Sequence, residues 1–248
     1  LAGSQASLVS SDGSVRVLVK PLSVPGERAV VLFNRSNAPA TAQVDIVALK
    51  LAPGTTYRVR DLWQHQDLPS ADGPLRFTLA PHGAVMLKVA GTPVDRDAIL
   101  LSSMTGRIHV AVDGLQGQGP AADVNQVPRA DFAPGGERLR IAGMTYHYGI
   151  GVHADSRLEV RTGGEFNRFT TLAGIQEGSG TAQSVVFQVY GDGRLLHESV
   201  TLRIGDAPAR IDVPVQGVEV LELVALASGR TSSGTPTQVV AWADARLR

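Results

Sequence analysis

Cysteine is absent from the 248 residues. That excludes disulfides, a thiolate nucleophile and Cys-ligated zinc or iron–sulfur sites. Net charge is absent too, because 23 basic side chains balance 23 acidic ones. A protein that coats nucleic acid or an anionic membrane needs excess cations, so neither partner is expected. No run approaches the ~18 apolar residues of a membrane-spanning helix. Aromatic residues are scarce at 5%, with two tryptophans. Hydrophobic residues make up 43%, enough for a real core, and this excludes whole-chain disorder. Residue 1 is Leu and no leader pattern precedes it, so the chain is expected to be a processed or excised piece of a longer one.

Apolar and polar residues alternate with period two along most of the chain. Val15–Lys20, Arg28–Phe33, Thr41–Ile46, Tyr57–Trp63, Leu75–Leu79 and Ala84–Val89 read as strands. Asp12-Gly13, Pro25-Gly26, Pro53-Gly54, Asp72-Gly73-Pro74 and Pro81-His82-Gly83 supply turns between them. Asp45–Lys50 has room for one helical turn. Gly91–Asp97 mixes Gly, Pro and charge and reads as a connector. Beyond it come further strand patterns, among them Leu158–Arg161, Phe169–Ala173, Ser184–Tyr190, Val220–Ala225 and Val239–Asp244. Asp192-Gly193 is a strong hairpin turn. The expected fold class is all-β, two antiparallel β-sandwich domains in tandem, residues 1–92 and 93–248. The long loops Asp113–Pro128 and Ser228–Thr237 are where binding is expected on a rigid sandwich.

Gly149-Ile150-Gly151-Val152-His153-Ala154 matches a dinucleotide-binding pattern, but strands flank it where a βαβ unit needs a helix. The glycines read as tight turns. The six histidines lack metal-ligand spacing, and no G-x-S-x-G elbow occurs. Carboxylate pairs are numerous, yet their spacing across strands does not reveal an acid–base couple. Asp61, Asp155 and Asp244 read as turn, cap or salt-bridge residues. Asp113, Asp123 and Asp131 offer oxygen ligands for Ca²⁺ without an EF-hand spacing. Trp63 and Trp242 lie within strand patterns, which points to core packing. Tyr146 and Tyr148 alternate with Thr145 and His147, so one face of that segment suits either a polar ligand or ordinary edge packing. Asn34-Arg35-Ser36 is an N-glycosylation sequon. No catalytic constellation emerges, so the chain is not expected to be an enzyme by itself.

Residues from about 12 to 90 resemble the C-terminal antiparallel β domain of family 27 glycoside hydrolases, the α-galactosidase group. The segments Lys20-Pro21-Leu22, Val31-Leu32-Phe33-Asn34-Arg35, Val59-Arg60-Asp61-Leu62-Trp63 and Pro81-His82-Gly83 carry that resemblance in order. Residues from about 98 to 248 resemble the NPCBM family of carbohydrate-binding modules. Gly149–Ala154 and Trp242-Ala243-Asp244-Ala245-Arg246-Leu247 are its most telling segments.

The resemblance implies a non-catalytic tail of a secreted or periplasmic, bacterial glycoside hydrolase. Its partners would be carbohydrate, with terminal galactose as the sugar, and an N-terminal catalytic barrel elsewhere in the parent chain. It also implies a structural calcium ion in some members and no other cofactor. The candidate sugar contacts are His153, Tyr148, Asp155, Gln176, Glu177 and Trp242, with His153 and Asp155 taking hydroxyl hydrogen bonds. The family's loop aromatics are replaced at Met104–Arg107 and Asp113–Gly117. That departure keeps open a structural or oligomerisation role in place of sugar binding.

Overall fold

A computed structural model describes residues 6–94, 98–110, 128–179, 184–228 and 238–248. The chain divides into two compact units, Leu1–Arg96 and Asp97–Arg248. The boundary expected after residue 92 lies four residues later. Pro93 still bridges to Leu51, and the Val94 N–H donates to the Lys50 carbonyl at 3.2 Å, so both residues belong to the first unit.

Unit 1 contains β1 (Ser7–Asp12), β2 (Val15–Pro21), β3 (Glu27–Asn34), β4 (Ala40–Val44), β5 (Tyr57–Asp61), β6 (Gln66–Ala71), β7 (Leu75–Leu79) and β8 (Ala84–Ala90). A six-stranded sheet runs β1-β2-β3-β8-β5-β6, and β4 pairs with β7 in a second sheet. All pairings are antiparallel. Strict alternation sends Val17, Val19, Val30, Leu32, Leu87 and Val89 into one core with Ala42, Val44 and Leu79 from the second sheet. The segment after Asp45 forms successive i to i+3 turns, closed by Lys50 at φ 54. Buried Arg28 donates from Nε to the Leu49 carbonyl at 2.8 Å, satisfying an acceptor those turns expose.

Two signature segments of unit 1 meet through Asn34. Its Nδ2 donates to the Ala38 carbonyl at 2.7 Å and the Ala80 carbonyl at 3.1 Å, and its Oδ1 accepts from Ser36 N at 2.9 Å. The amide is therefore a buried turn brace, and the sequon offers no free acceptor for a glycan. Asp61 does similar work: Oδ1 accepts from Trp63 N and Gln64 N, both at 2.9 Å, and ends β5 in a tight turn. That turn corrects the expected position of Trp63. The strand stops two residues earlier, and the indole is 56% exposed rather than in the core.

Unit 2 contains β9 (Ile99–Leu100), β10 (Ile108–Val110), β11 (Arg129–Ala130), β12 (Leu139–Ile141), β13 (Met144–Tyr146), β14 (Gly149–His153), β15 (Ser156–Arg161), β16 (Arg168–Ile175), β17 (Val185–Gly191), β18 (Arg194–Glu198), β19 (Ala209–Pro214), β20 (Val220–Ala227) and β21 (Val239–Leu247). One sheet runs β10-β15-β20-β17-β18. The facing sheet runs β11-β14-β21-β16-β19, with β9 also paired to β21. Leu158, Val160, Phe187, Val189, Leu221 and Leu223 of the first meet Ile150, Val152, Phe169, Ile211, Val240 and Trp242 of the second. The hairpin β12–β13 lies over the outer face of the second sheet. There Leu139 and Ile141 pack with Ala133, Ala241 and Ala243 in a separate small core.

That third layer explains the glycines. A Cβ at Gly151 would lie 2.3 Å from the Phe132 carbonyl oxygen, and one at Gly174 would lie 2.6 Å from Ile141 Cγ2. Gly151 is therefore not a turn between strands, as the sequence alone suggests. Gly151 sits inside β14 and Gly174 inside β16, where the overlying chain presses onto the sheet.

Candidate functional site

A bulge in β21 shapes the outer face of this sheet. Val240 and Trp242 point into the main core, and so do Ala245 and Leu247. The odd step between Trp242 and Ala245 requires one extra residue, and the register with β16 shifts between Thr170 and Leu172. Ala243 and Asp244 consequently both face outward. Asp244 takes φ 46, a left-handed conformation that Asp tolerates better than most residues. The Thr171 hydroxyl donates to the Ala243 carbonyl at 2.9 Å, and the Asp244 N–H donates to the Tyr148 carbonyl at 2.9 Å, which fix the bulge in place.

The Asp244 carboxyl is half-buried and within electrostatic range of Tyr146 and His147, with no side-chain hydrogen bond or ion pair among the described residues. Burial raises its pKa above the ordinary 3.8, while Arg246 and His147 pull it back down. Burial, and then the Asp244 charge, raise the Tyr146 phenol. The His147 and Tyr148 rings stand 6.5 Å apart, tilted by 60°. Met144 on β13 is 63% exposed at the same hairpin. The cluster offers a strong acceptor, a phenol, an imidazole and aromatic edges, the groups a hydroxyl-rich ligand engages.

The residues expected from the sequence do not form one site. Trp242 is wholly buried against Phe187, ring centroids 5.2 Å apart at 88°. Its ring faces are inside the core, which overturns its candidacy as a sugar contact. Gln176 is buried: Oε1 accepts from Arg140 N at 2.9 Å, and Nε2 donates to the Arg138 carbonyl at 3.0 Å. Glu177 accepts from Gly143 N and pairs with Arg140 at 3.3 Å. Both residues clamp the β12–β13 hairpin. Asp155, at φ 57, accepts from Ala227 N at 3.0 Å and ties the turn before β15 to β20. These three carry structural bonds rather than presenting free groups.

Tyr148 adjoins the Asp244 cluster. His153 ends β14, so at ~3.3 Å per residue it stands roughly 16 Å from Tyr148. Asp244 was legible only as a turn or ion-pair residue. The signal that distinguishes it is the parity break between Trp242 and Ala245.

Among the described residues no group of three or more His, Asp and Glu is placed to hold a metal ion. Asp131 accepts from Gly149 N at 3.1 Å, at the end of the segment covering β14. The other two carboxylates named for calcium, Asp113 and Asp123, lie outside the described residues. So do residues 113–127 and 229–237 of the two long loops.

A family profile described as "Alpha galactosidase C-terminal beta sandwich domain" matches residues 12–89, and one described as "NPCBM/NEW2 domain" matches residues 109–248. Among curated relatives, the "Putative endo-alpha-N-acetylgalactosaminidase" of Renibacterium salmoninarum is 32% identical over 112 residues, 45% of this chain and 7% of that protein. The "Alpha-galactosidase" of Oryza sativa subsp. japonica is 36% identical over 84 residues, 34% of this chain and 20% of that protein. The chain thus spans a small part of the relatives it matches. Among solved structures, "The structure of CBM51-2 and INT domains from Clostridium perfringens ZmpB" shares the fold with TM-score 0.50 and 20% identity, covering 94% of this chain and 40% of that one. The matched region fills more than half of the 248 residues, and the chain belongs to the NPCBM/NEW2 domain family, preceded by a β-sandwich of the kind that closes α-galactosidases.

Proposed function

We propose that unit 2 binds carbohydrate, and that terminal galactose-type glycans are its ligand. The chain would serve as the non-catalytic part of a secreted glycoside hydrolase and hold that enzyme near its substrate, raising effective concentration. The observation that carries this reading is Asp244. Its carboxylate is fixed by a backbone bulge, half-buried, without a side-chain partner among the described residues, and within electrostatic range of Tyr146 and His147. A sugar hydroxyl donating to it would replace lost water while an aromatic edge covers the ring.

The test is titration of the chain with methyl galactoside, followed by amide NMR shifts and calorimetry. Weak binding is expected, with shifts confined to Tyr146–Tyr148 and Ala243–Arg246, and Asp244→Asn should weaken it about tenfold. Absence of binding at tens of millimolar methyl galactoside sinks the reading.

A second reading concerns unit 1. Leu8, Leu18, Val31 and Met86 pair in one row across the outer face of its six-stranded sheet, and Leu62 N–H bonds to the Met86 carbonyl at the row's end. Exposed Trp63 follows. This apolar row suits packing against another domain, and the relatives' greater length supports a catalytic domain as the partner. Co-expression of unit 1 variants with the parent's remaining chain tests it. Trp63→Ala with Met86→Gln should reduce the parent's thermal stability without altering the fold of the isolated unit.

A further inference from the structure

The outer face of the unit 1 sheet changes character two rows beyond its apolar stripe. Strand alternation places Glu27 and Ala29 of β3, Lys88 and Ala90 of β8, and Arg58 and Arg60 of β5 on this face. In register, Glu27 and Arg58 both stand opposite Ala90, while Ala29 and Arg60 both stand opposite Lys88. The short Ala90 side chain between long neighbours leaves a depression. On the far side, the β5–β6 pairing is irregular between Tyr57 and Val59, and β6 supplies Asp67 and Ser70 as a rim. The resulting hollow holds about 310 Å³, at the small end of the range for ligand pockets.

Its charges are not simply mixed. Lys88 is engaged by Glu27 at 2.7 Å, and Arg60 is engaged by Asp67 at 2.9 Å. Arg58 lines the same hollow and has no side-chain hydrogen bond or ion pair among the described residues. One planar guanidinium therefore faces the hollow uncompensated, flanked by two carboxylates whose remaining lone pairs accept hydrogen bonds. A simple anion would meet Arg58 and leave the spare lone pairs of Glu27 and Asp67 unused. A neutral polyol would satisfy the carboxylates and leave Arg58 unused. A sugar acid satisfies both, with its carboxylate in the guanidinium fork and its ring hydroxyls donating to Glu27 and Asp67.

We propose that this hollow binds a carboxylate-bearing monosaccharide unit, held through Arg58. The site lies on a different unit from the Asp244 cluster and takes a different ligand class, so it stands or falls independently of the galactose reading. An exposed site of this size binds in the millimolar range, and its dependence on Arg58 weakens as salt screens the charge.

The experiment is an NMR titration of the whole chain at low ionic strength with methyl galacturonide, methyl galactoside and acetate as separate probes. Methyl galacturonide is expected to shift the amides of residues 58–60, 67–70 and 88–90. The other two probes should act there at least about tenfold more weakly. Arg58→Gln should weaken galacturonide binding about tenfold, and Arg58→Lys should recover only part of it, since an ammonium lacks the fork. Thermal unfolding should be unchanged in both variants, because Arg58 is exposed. Acetate binding as well as galacturonide overturns the sugar assignment. Galacturonide shifts that persist unchanged in Arg58→Gln, or that fall elsewhere, overturn the site.

Discussion

Gln176 and Arg140 are joined across 36 residues of sequence by a bond of 2.9 Å from the Arg140 N–H to the Gln176 Oε1. The same amide turns its Nε2 to the Arg138 carbonyl at 3.0 Å. One buried side chain thus supplies the donor and the acceptor that an adjacent strand would have supplied to β12.

Removing that clamp leaves a backbone N–H and a carbonyl without partners in a part-buried layer. Gln176→Ala is expected to cost about 1–3 kcal/mol, the desolvation penalty of unsatisfied polar groups. Amide exchange should accelerate in residues 139–146 well before the main core opens, which hydrogen-exchange NMR will read.

The two glycines under the hairpin should differ in how they fail. Gly174→Ala presses a methyl into Ile141 Cγ2, a buried side chain with little room, and overpacking of this kind costs about 1–3 kcal/mol. Gly151→Ala meets backbone at Phe132 and Ala133, which does not yield by rotamer change. It should cost more and lift the 131–134 segment, exposing Gly149 N–H, now bonded to Asp131. Chemical denaturation of the two variants ranks them.

The two tryptophans, both expected in the core, differ: only Trp242 is there. Trp242→Ala should cost about 3–5 kcal/mol as a large core truncation. The indole Nε1 has no hydrogen-bond partner among the described residues, so Trp242→Phe removes an unmatched polar atom and should cost far less. Trp63→Ala, at an exposed turn, should change the stability of the chain by under about 0.5 kcal/mol. Melting temperatures distinguish all three.

Asp244 should leave a mark on pH dependence. Its folded-state pKa lies above the ordinary 3.8 because burial disfavours the charged form. In the window above 3.8 and below the raised value, the folded chain holds a proton the unfolded chain has lost, so this group's contribution to stability falls as pH rises through that window and is constant above it. Asp244→Asn keeps the shape and tolerates the left-handed backbone. It should flatten this part of the stability profile and be no less stable than the parent at pH 7. Galactoside binding should weaken on acidification at a pH higher than for an ordinary exposed carboxylate. Urea midpoints and titrations across pH 3.5–7 check both.

Much of the fold was legible because strand physics is local. Alternation in Glu27–Asn34 or Ala84–Ala90 declares one buried face, and a Pro or Gly next to it ends the run. Trp63 misled because alternation continues through a residue that has already left the strand. What ends β5 is the Asp61 carboxylate capping two N–H groups, an event that periodicity does not register. The glycines of β14 misled for the opposite reason. Glycine is equally at home in a turn and under a close-packed layer, and only the presence of that layer separates the two.

By itself the sequence determined the class of fold, two β units, the lack of thiol and disulfide chemistry, and the family segments around Asn34, Gly149 and Trp242. These follow from composition and from patterns whose range is a few residues. The tertiary structure decided which groups remain free to act. Gln176, Glu177, Asp155 and Asn34 are chemically suited to binding, yet partners brought from distant strands consume them. Asp244 and Arg58 look no different in sequence. Their side chains stay open because a bulge turns one outward, and a short alanine leaves space beside the other.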